Sequence, residues 1–394
     1  MPAAVAAPRA RLPGVAWRLS AVSFLAASAD SFFLLLLLWV AGPQGWTGLQ
    51  TALVILALRL PTLAAGVLLG RAVDRWGARR LMLIDLAGRA ALLGGLALTG
   101  RLPLIAVLLV GAATGCLAPA SYAGARWLLP RVVPDDALGR ANAVVAFGDH
   151  APLVLGPALV GPALALFGTS VSLLVPIGLL VAALVLARGL PAVASPAAPE
   201  AVRDAPHAGR LPGRVTALIA LSTAYYFVYG PFESATPALV RARLDSGEAI
   251  YSLLWVVFGL GAIATLPLVP RLGRRRPGLV NALGALFWGL VMLPVLVVQD
   301  VPLAAGLFLL GGAVWGPYAS IETAALQRWV PPSQHGRVFG LQRSLLGTAS
   351  PLGAAIGAVA LEQVSAQAVL GCSALLCALA GLLALARRDL RRAE

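Results

Sequence analysis

Apolar residues run along this chain in blocks of about 20, each followed by a short polar break, and the alternation continues from end to end. A block of that length crosses the roughly 30 Å hydrocarbon core of a bilayer as one helix. Twelve spans are predicted: 17–41, 47–70, 81–99, 103–127, 140–166, 169–188, 214–240, 248–270, 278–298, 302–327, 337–361 and 365–386. The expected fold class is therefore an all-α membrane protein with twelve transmembrane helices. The one long polar break, "GLPAVASPAAPEAVRDAPHAGRLPG" at 189–213, is rich in Pro and Ala and holds nothing that could build a core. It is expected to be a linker, dividing the chain into six-helix halves at 1–188 and 214–394.

The halves resemble each other. "VPDDALGRANAVVAFG" begins at Val133 and "VPPSQHGRVFGLQRSLLG" at Val330, an offset of 197 in a chain of 394. The same offset pairs Gly139 with Gly336, Arg140 with Arg337 and Gly156 with Gly353. "GARR" at Gly77 has a partner "GRRR" at Gly273, offset by 196. Two parallel six-helix repeats with a site near the midplane between them are a transporter architecture.

Composition strengthens the membrane assignment. Hydrophobic residues make up 59% and charged residues 12%, about half the charge that a water-facing surface carries. The net charge of +14 comes with no lysine at all, so the phosphate-binding pattern G-x-x-x-x-G-K-[ST] is absent and with it this route to ATP hydrolysis. The arginines cluster at span ends rather than forming a nucleic-acid patch. With the N-terminus inside, 24 of the 30 lie on or beside cytoplasmic segments, Arg101, Arg241 and Arg243 lie outside, and Arg59, Arg89 and Arg343 lie within spans. Both termini are thus expected in the cytoplasm of a multi-pass protein of the bacterial inner membrane. The first apolar run, preceded by Arg9, Arg11 and Arg18, is too long for a cleaved signal peptide and is expected to stay as the first helix. Cys116, Cys372 and Cys377 sit inside spans without metal-ligand spacing. Nor is there a G-x-S-x-G, an H-E-x-x-H or a two-histidine spacing. No enzyme activity, catalytic residue, metal or cofactor is expected.

Ionisable groups inside spans are costly and mark function by default. Asp30 is twelve residues from Arg18, and Arg59 eleven from Gly70, which puts both roughly 16–18 Å above the cytoplasmic face. Two readings stand: a permanent Asp30–Arg59 ion pair, or a cavity carboxylate that trades its proton or a substrate cation against Arg59. Asp85 and Arg89, four apart, favour a local pair. Asp149 is a second proton-site candidate, and the adjacent His150 is a weaker one. In the second half, "YYFVYGPFESATP" carries Tyr225, Tyr226, Tyr229, Phe232 and Glu233 around Gly230 and Pro231. Those aromatics form either a substrate wall and outer gate or an interfacial belt. Trp315 and Tyr318 in "WGPY", with Glu322 below, complete the cavity candidates. Glu322 binds cations, contacts the charged stretch at 70–80 across the halves, or pairs with Arg343.

Three stretches carry a family resemblance. "GRAVDRWGARR", 70–80, resembles the charged loop of the major facilitator superfamily, with Gly70, Asp74, Arg75, Gly77, Arg79 and Arg80 at matching positions. The resemblance implies a latch that closes the cytoplasmic side in the outward-facing state. Gly70 would let helices approach, Asp74 would face an arginine or a helix N-terminus, and Arg79 and Arg80 would hold the anionic leaflet. The second copy has Pro270 in place of the aspartate. "GDHAPLVLGPALVGP", 148–162, resembles the antiporter motif of drug–proton exporters at Gly156, Pro157 and Gly161, with Pro152 and Val160 where glycines are usual. "PASYAGARWLLPRVVPDDALGRANAV" and "SADSFFLLLLLWV" resemble the macrolide-efflux and enterobactin-exporter branch. An arginine usual early in helix 4 of drug–proton antiporters has no counterpart in "LIAVLLVGAATG".

The expected function is a secondary active transporter that expels amphipathic small molecules, cationic ones included, by alternating access against inward proton flow. The substrate would sit between helices 1, 4, 7 and 10, as the resemblance implies. The alternative is a specific metabolite or siderophore exporter, or a nutrient importer, of the same fold. The expected partners are a small-molecule substrate, protons and the lipid bilayer, with no nucleic acid, and the chain is expected to act as a monomer.

Overall fold

A computed structural model describes residues 14–391, apart from 135–136, 138–140, 142–143, 146–147, 149–150, 194–210, 274–275 and 332–333. In lipid every backbone N–H and C=O must be satisfied within the segment, so apolar runs of this length become helices. The first seven are α1 (Gly14–Val40), α2 (Gly48–Trp76), α3 (Ala78–Leu98), α4 (Leu104–Leu117), α5 (Pro119–Val132), α6 (Pro152–Ser172) and α7 (Leu174–Arg188). After the linker come α8 (Gly213–Ala242), α9 (Glu248–Thr265), α10 (Pro277–Met292), α11 (Val301–Trp315), α12 (Tyr318–Trp329), α13 (His335–Ala360) and α14 (Ala366–Ala386).

Among the described residues, ten segments are long and apolar enough to cross a membrane, and α7 is a shorter apolar helix. The 26-residue α13 completes twelve. Its more polar run holds Arg337, Gln342 and Arg343. Spans 4 and 10 are each two helices in line. Pro119 and Pro317 interrupt the hydrogen-bond ladder, but Ala118 and Gly316 keep helical angles, so Leu104–Val132 and Val301–Trp329 each continue as one bent rod. Three helix starts at the end away from the termini carry side-chain caps. Thr47 and Gln50 form a reciprocal capping box at α2, Asp300 accepts from the Leu303 N–H, and Ser365 accepts from the Ala368 N–H.

The charged stretch at 70–80 is not a loop. Helix α2 runs on to Trp76 and α3 begins at Ala78, with Gly77 alone between them at φ 81°. Charged residues cross the membrane poorly but form helix well, so the apolar pattern marked the bilayer boundary rather than the helix end. Gly77 supplies the left-handed turn that other residues rarely adopt.

Packing follows the sequence repeat. Helix α1 packs against α6 and α7, α2 against α4 and α5, and α3 against α7. Six spans later α8 packs against α13 and α14, α9 against α11, and α10 against α14. Two helix pairs make the main joints between the two sets, α2 with α13 and α6 with α9, and they correspond under the same shift. Within each set backbones touch. A Cβ on Gly312 would overlap the Phe258 carbonyl, and one on Gly115 would lie 2.6 Å from the Leu58 carbonyl oxygen, at equivalent places on α11 and α4.

Candidate functional site: a charged central cavity

Two cavities lie between the helix sets. The first, about 360 Å³, is bounded by α1, α2, α4, α6, α8 and α9, and the second, about 580 Å³, by α2, α8, α11 and α13. Arg59, Thr62, Tyr229 and Glu233 line both. Their junction is an ion pair from α2 to α8, Arg59 Nη2 to Glu233 Oε1 at 3.8 Å.

Asp30 does not pair with Arg59, contrary to the expectation from depth. Its carboxylate faces the first cavity with 52% of the side chain exposed, and accepts at 2.7 Å from Arg89 Nη1. Arg89 is 1% exposed and also grips Asp85, through Nε at 2.5 Å and Nη2 at 3.0 Å. The Ser121 hydroxyl of α5 donates to the second Asp85 oxygen. The expected Asp85–Arg89 pair is therefore present, but as the inner part of a three-residue cluster. With all three groups ionised the cluster carries one net negative charge, and its water-facing member is Asp30. Asp149 and His150 lie outside the described residues.

The aromatics around Glu233 are buried in protein, not spread as an interfacial belt. Tyr229 stacks on Trp315 at 5.8 Å, Phe232 meets Trp288 edge-on at 4.8 Å, and Tyr225 stacks on Tyr318 at 4.4 Å. Tyr226 and Trp315 face the second cavity. Tyr318 and Glu322 line neither cavity. Tyr318 is turned toward α8, where its hydroxyl lies 3.2 Å from Ser222 Oγ. Glu322 is 0% exposed, and neither carboxylate oxygen has a hydrogen-bond partner. Its expected partner is engaged elsewhere: Arg343 stacks on Tyr122 across the seam. Arg328, six residues on, bonds the Ala324 and Gly273 carbonyls.

The motif glycines mark contacts of α6. A Cβ on Gly156 would lie 2.6 Å from Ser31 Oγ of α1. Gly161 N–H donates at 2.6 Å to Ser252 Oγ of α9, and Pro157 lines the first cavity between them. In the charged stretch, Arg79 donates at 2.7 Å to the Arg188 carbonyl at the end of α7, and Arg18 donates to Gly189 O at 2.9 Å. Two cations thus sit at one helix C-terminus, where the dipole favours them. Arg75 and Arg80 are exposed. The surroundings of Gly70 and the side chain of Asp74 lie outside the described residues.

The end away from the termini is closed by two charges on helix ends. Glu362, just past α13, accepts from the Gly48 and Leu49 N–H groups of α2 at 2.5 and 3.3 Å. Arg241 of α8 donates to the Trp39 carbonyl in the last turn of α1 and lies 4.0 Å from the Trp39 ring centroid. Tyr251 of α9 stacks on the same tryptophan at 5.2 Å. Below that closed end the second cavity extends along α13 from Pro351 to Phe339, toward the arginine-rich end.

Sequence reasoning missed Trp255 and Phe258 of α9, which line the first cavity, and Phe339 and Gln342, which line the second. Trp255 and Phe258 are three apart on one helix face, a spacing that could have flagged them.

Comparisons with known proteins agree with this architecture. Residues 19–325 match the Major Facilitator Superfamily. The chain is 28% identical over 391 residues to an uncharacterized MFS-type transporter, y4rN, of Sinorhizobium fredii (strain NBRC 101917 / NGR234), covering 94% of this chain and 95% of that one. It is 28% identical over 338 residues to the multidrug efflux pump Tap of Mycolicibacterium fortuitum, covering 80% and 81%. Its fold superposes on a point mutant of the nucleoside transporter NupG with a TM-score of 0.74 at 12% identity, over 94% of this chain and 99% of that one. With its repeated helix packing and its cavity between the repeats, the chain belongs to the major facilitator superfamily of membrane transporters.

Proposed function

We propose that this transporter is a proton-coupled exporter of amphipathic small molecules in the bacterial inner membrane, working by alternating access. The observation that carries the reading is the cavity itself. It combines aromatic walls for an apolar body, the Asp30 and Glu233 carboxylates for a cation, and a charge cluster that loses its net negative charge when Asp30 takes a proton. The name of the relative Tap supports efflux as the direction.

Residues 1–188 and 214–394 act as the two rocking bodies, joined by the linker at 189–213. The arginine asymmetry puts both termini and the linker in the cytoplasm. In that orientation the clamps at Glu362 and Arg241 close the outside, and the cavity running to Phe339 faces inward. The Arg59–Glu233 pair joins the two bodies across the cavity. An arriving cation competes with Arg59 for Glu233, which loosens that joint and favours the alternate state. The stretch at 70–80 serves as the latch on the inner side, and Gly156, Pro157 and Gly161 let α6 slide between α1 and α9. The protein works as a monomer.

The test is a proteoliposome assay with ethidium as probe and an imposed pH gradient. Wild type accumulates the probe and moves protons the other way. Asp30→Asn still exchanges probe for probe but no longer accumulates it. Accumulation by Asp30→Asn equal to wild type would defeat Asp30 as the coupling group, and the absence of any probe-driven proton movement in wild type would defeat the proton-coupled reading.

A further inference from the structure

Glu322 is a buried acid that the transport cycle described above does not use. It sits in α12, fully buried, with Ser222 and Gln342 as the donors beside it and neither carboxylate oxygen in a well-formed hydrogen bond. Among the described residues its surroundings offer no counter-charge. From α8 it faces Ser222 and Tyr226, with Tyr225 behind them, and from its own helix Tyr318. From α13 it faces Gln342. From α10 the nearby polar group is Asn281, whose amide reaches the Tyr318 carbonyl. The described cations on neighbouring elements are committed or distant: Arg343 lies on Tyr122, Arg328 bonds backbone carbonyls, and Arg271, on the short helix Val269–Leu272, is exposed. Burying an ionised carboxylate away from any cation is costly, and taking up a proton is how a carboxyl avoids that cost.

The wall that hides it is one side chain thick. Tyr226 and Gln342 stand beside Glu322 and also line the second cavity. Gln342 belongs to α13, which forms a seam between the two helix sets: Gly347 packs on Leu63 of α2, and Gly48 of α2 packs on the Ala358 carbonyl. Any rocking of the sets moves α13 against α2, and Gln342 with it. A conformational change therefore has a direct way to open the acid to the cavity.

We propose that Glu322 is a second proton-binding site of the transporter, neutral and sealed in this conformation, and opened to the cavity when α13 shifts. The proposal rests on the proton-coupled reading for its place in the cycle, but the protonation of Glu322 can be read without any transport. With two sites, Asp30 in permanent contact with the cavity and Glu322 behind a gate, proton binding in one helix set would report the position of the other.

The experiment is infrared difference spectroscopy of the full-length protein in lipid vesicles at neutral pH. Wild type should show the carbonyl stretch of a protonated, weakly hydrogen-bonded carboxyl. That band should vanish in Glu322→Gln and persist in Asp30→Asn. In Gly48→Val, whose side chain prevents closure at the outer end, the band should weaken or shift as the carboxyl meets water. A spectrum unchanged by Glu322→Gln would overturn the proposal, as would a band identical in the Gly48→Val background. Should Glu322→Gln fail to accumulate in membranes, Glu322→Asp keeps a carboxyl, and its band must move in frequency for the proposal to stand. Because these bands are read without a gradient or a probe, proteoliposomes that show no proton-coupled transport would leave them intact and defeat only the coupling reading.

Discussion

The Asp30–Arg89–Asp85 cluster makes an unequal prediction for its two acids. Asp85 is fully buried, takes two hydrogen bonds from Arg89 at 2.5 and 3.0 Å, and accepts a third from Ser121. Asp30 takes one bond from Arg89 at 2.7 Å, and half of its side chain faces the cavity. In Asp30→Asn the buried guanidinium keeps its forked partner and the inner pair becomes neutral. The loss is that of a water-screened contact, about 1 kcal/mol or less. In Asp85→Asn the guanidinium keeps only the distal Asp30, and its Nε and Nη2 protons must share one amide oxygen in a dry site. Removing one member of a buried pair costs roughly 3–5 kcal/mol, and the residual pairing to Asp30 argues for the lower end. The assay is thermal unfolding in detergent, followed through tryptophan fluorescence, on the two single variants and on Asp85→Asn/Arg89→Gln. The midpoint should fall several-fold further for Asp85→Asn than for Asp30→Asn, and the double variant should recover part of the loss. Equal losses, or a larger one for Asp30→Asn, would refute the assignment of Asp85 as anchor and Asp30 as exchangeable.

Gly48→Val places a side chain on the Ala358 carbonyl and should hold the outer end open. In a cysteine-free background, labelling of a cysteine at Thr51, now buried, should rise by about tenfold, a shift of about 1.4 kcal/mol, and unchanged labelling would contradict the closure. Glu233→Gln frees Arg59 from a long, partly exposed pair, so unfolding should change by less than about 1 kcal/mol while the affinity for ethidium falls. A large loss of stability with unchanged affinity would make the pair merely structural. Asp74→Asn should slow transport far more than it weakens probe binding, since a latch biases conformations rather than contacts. Normal turnover with lost binding would argue against that role.

Chain-long features were legible in the sequence because apolar length depends on no partner. Twelve spans and the half-length repeat came directly from runs and offsets, and the structure repeats the packing accordingly. Pairings were less legible. The depth of Asp30 and Arg59 followed from counting rise along each helix, but the direction a side chain takes around the helix turns by about 100° per residue. An uncertainty of a few residues in the helix start therefore leaves the azimuth open. Asp30 turned to α3 and Arg59 to α8, a helix whose approach no local pattern announces. Tyr318 and Glu322 were placed at a sensible height yet face away from the cavities for the same reason. The Asp85–Arg89 pair was legible because four residues on one helix fix the relative direction without knowledge of the start. At 70–80 the pattern recorded where the chain leaves lipid, and helix α2 simply continued beyond it.

The clamps of Glu362 and Arg241 have a consequence for comparing relatives. Each side chain hydrogen-bonds peptide groups at a helix end, Arg241 with the Trp39 ring beside it as well. Half of every hydrogen bond is thus backbone, which side-chain substitution leaves in place unless proline removes a donor N–H. The other half can be supplied from any nearby position whose acid or base reaches the same helix end. Descendants of one ancestral carrier could therefore keep an identical clamp while the charge migrates by a turn or to the adjoining loop. In an alignment such a clamp would leave no covarying column, so its persistence has to be sought by superposing helix ends rather than by matching residues.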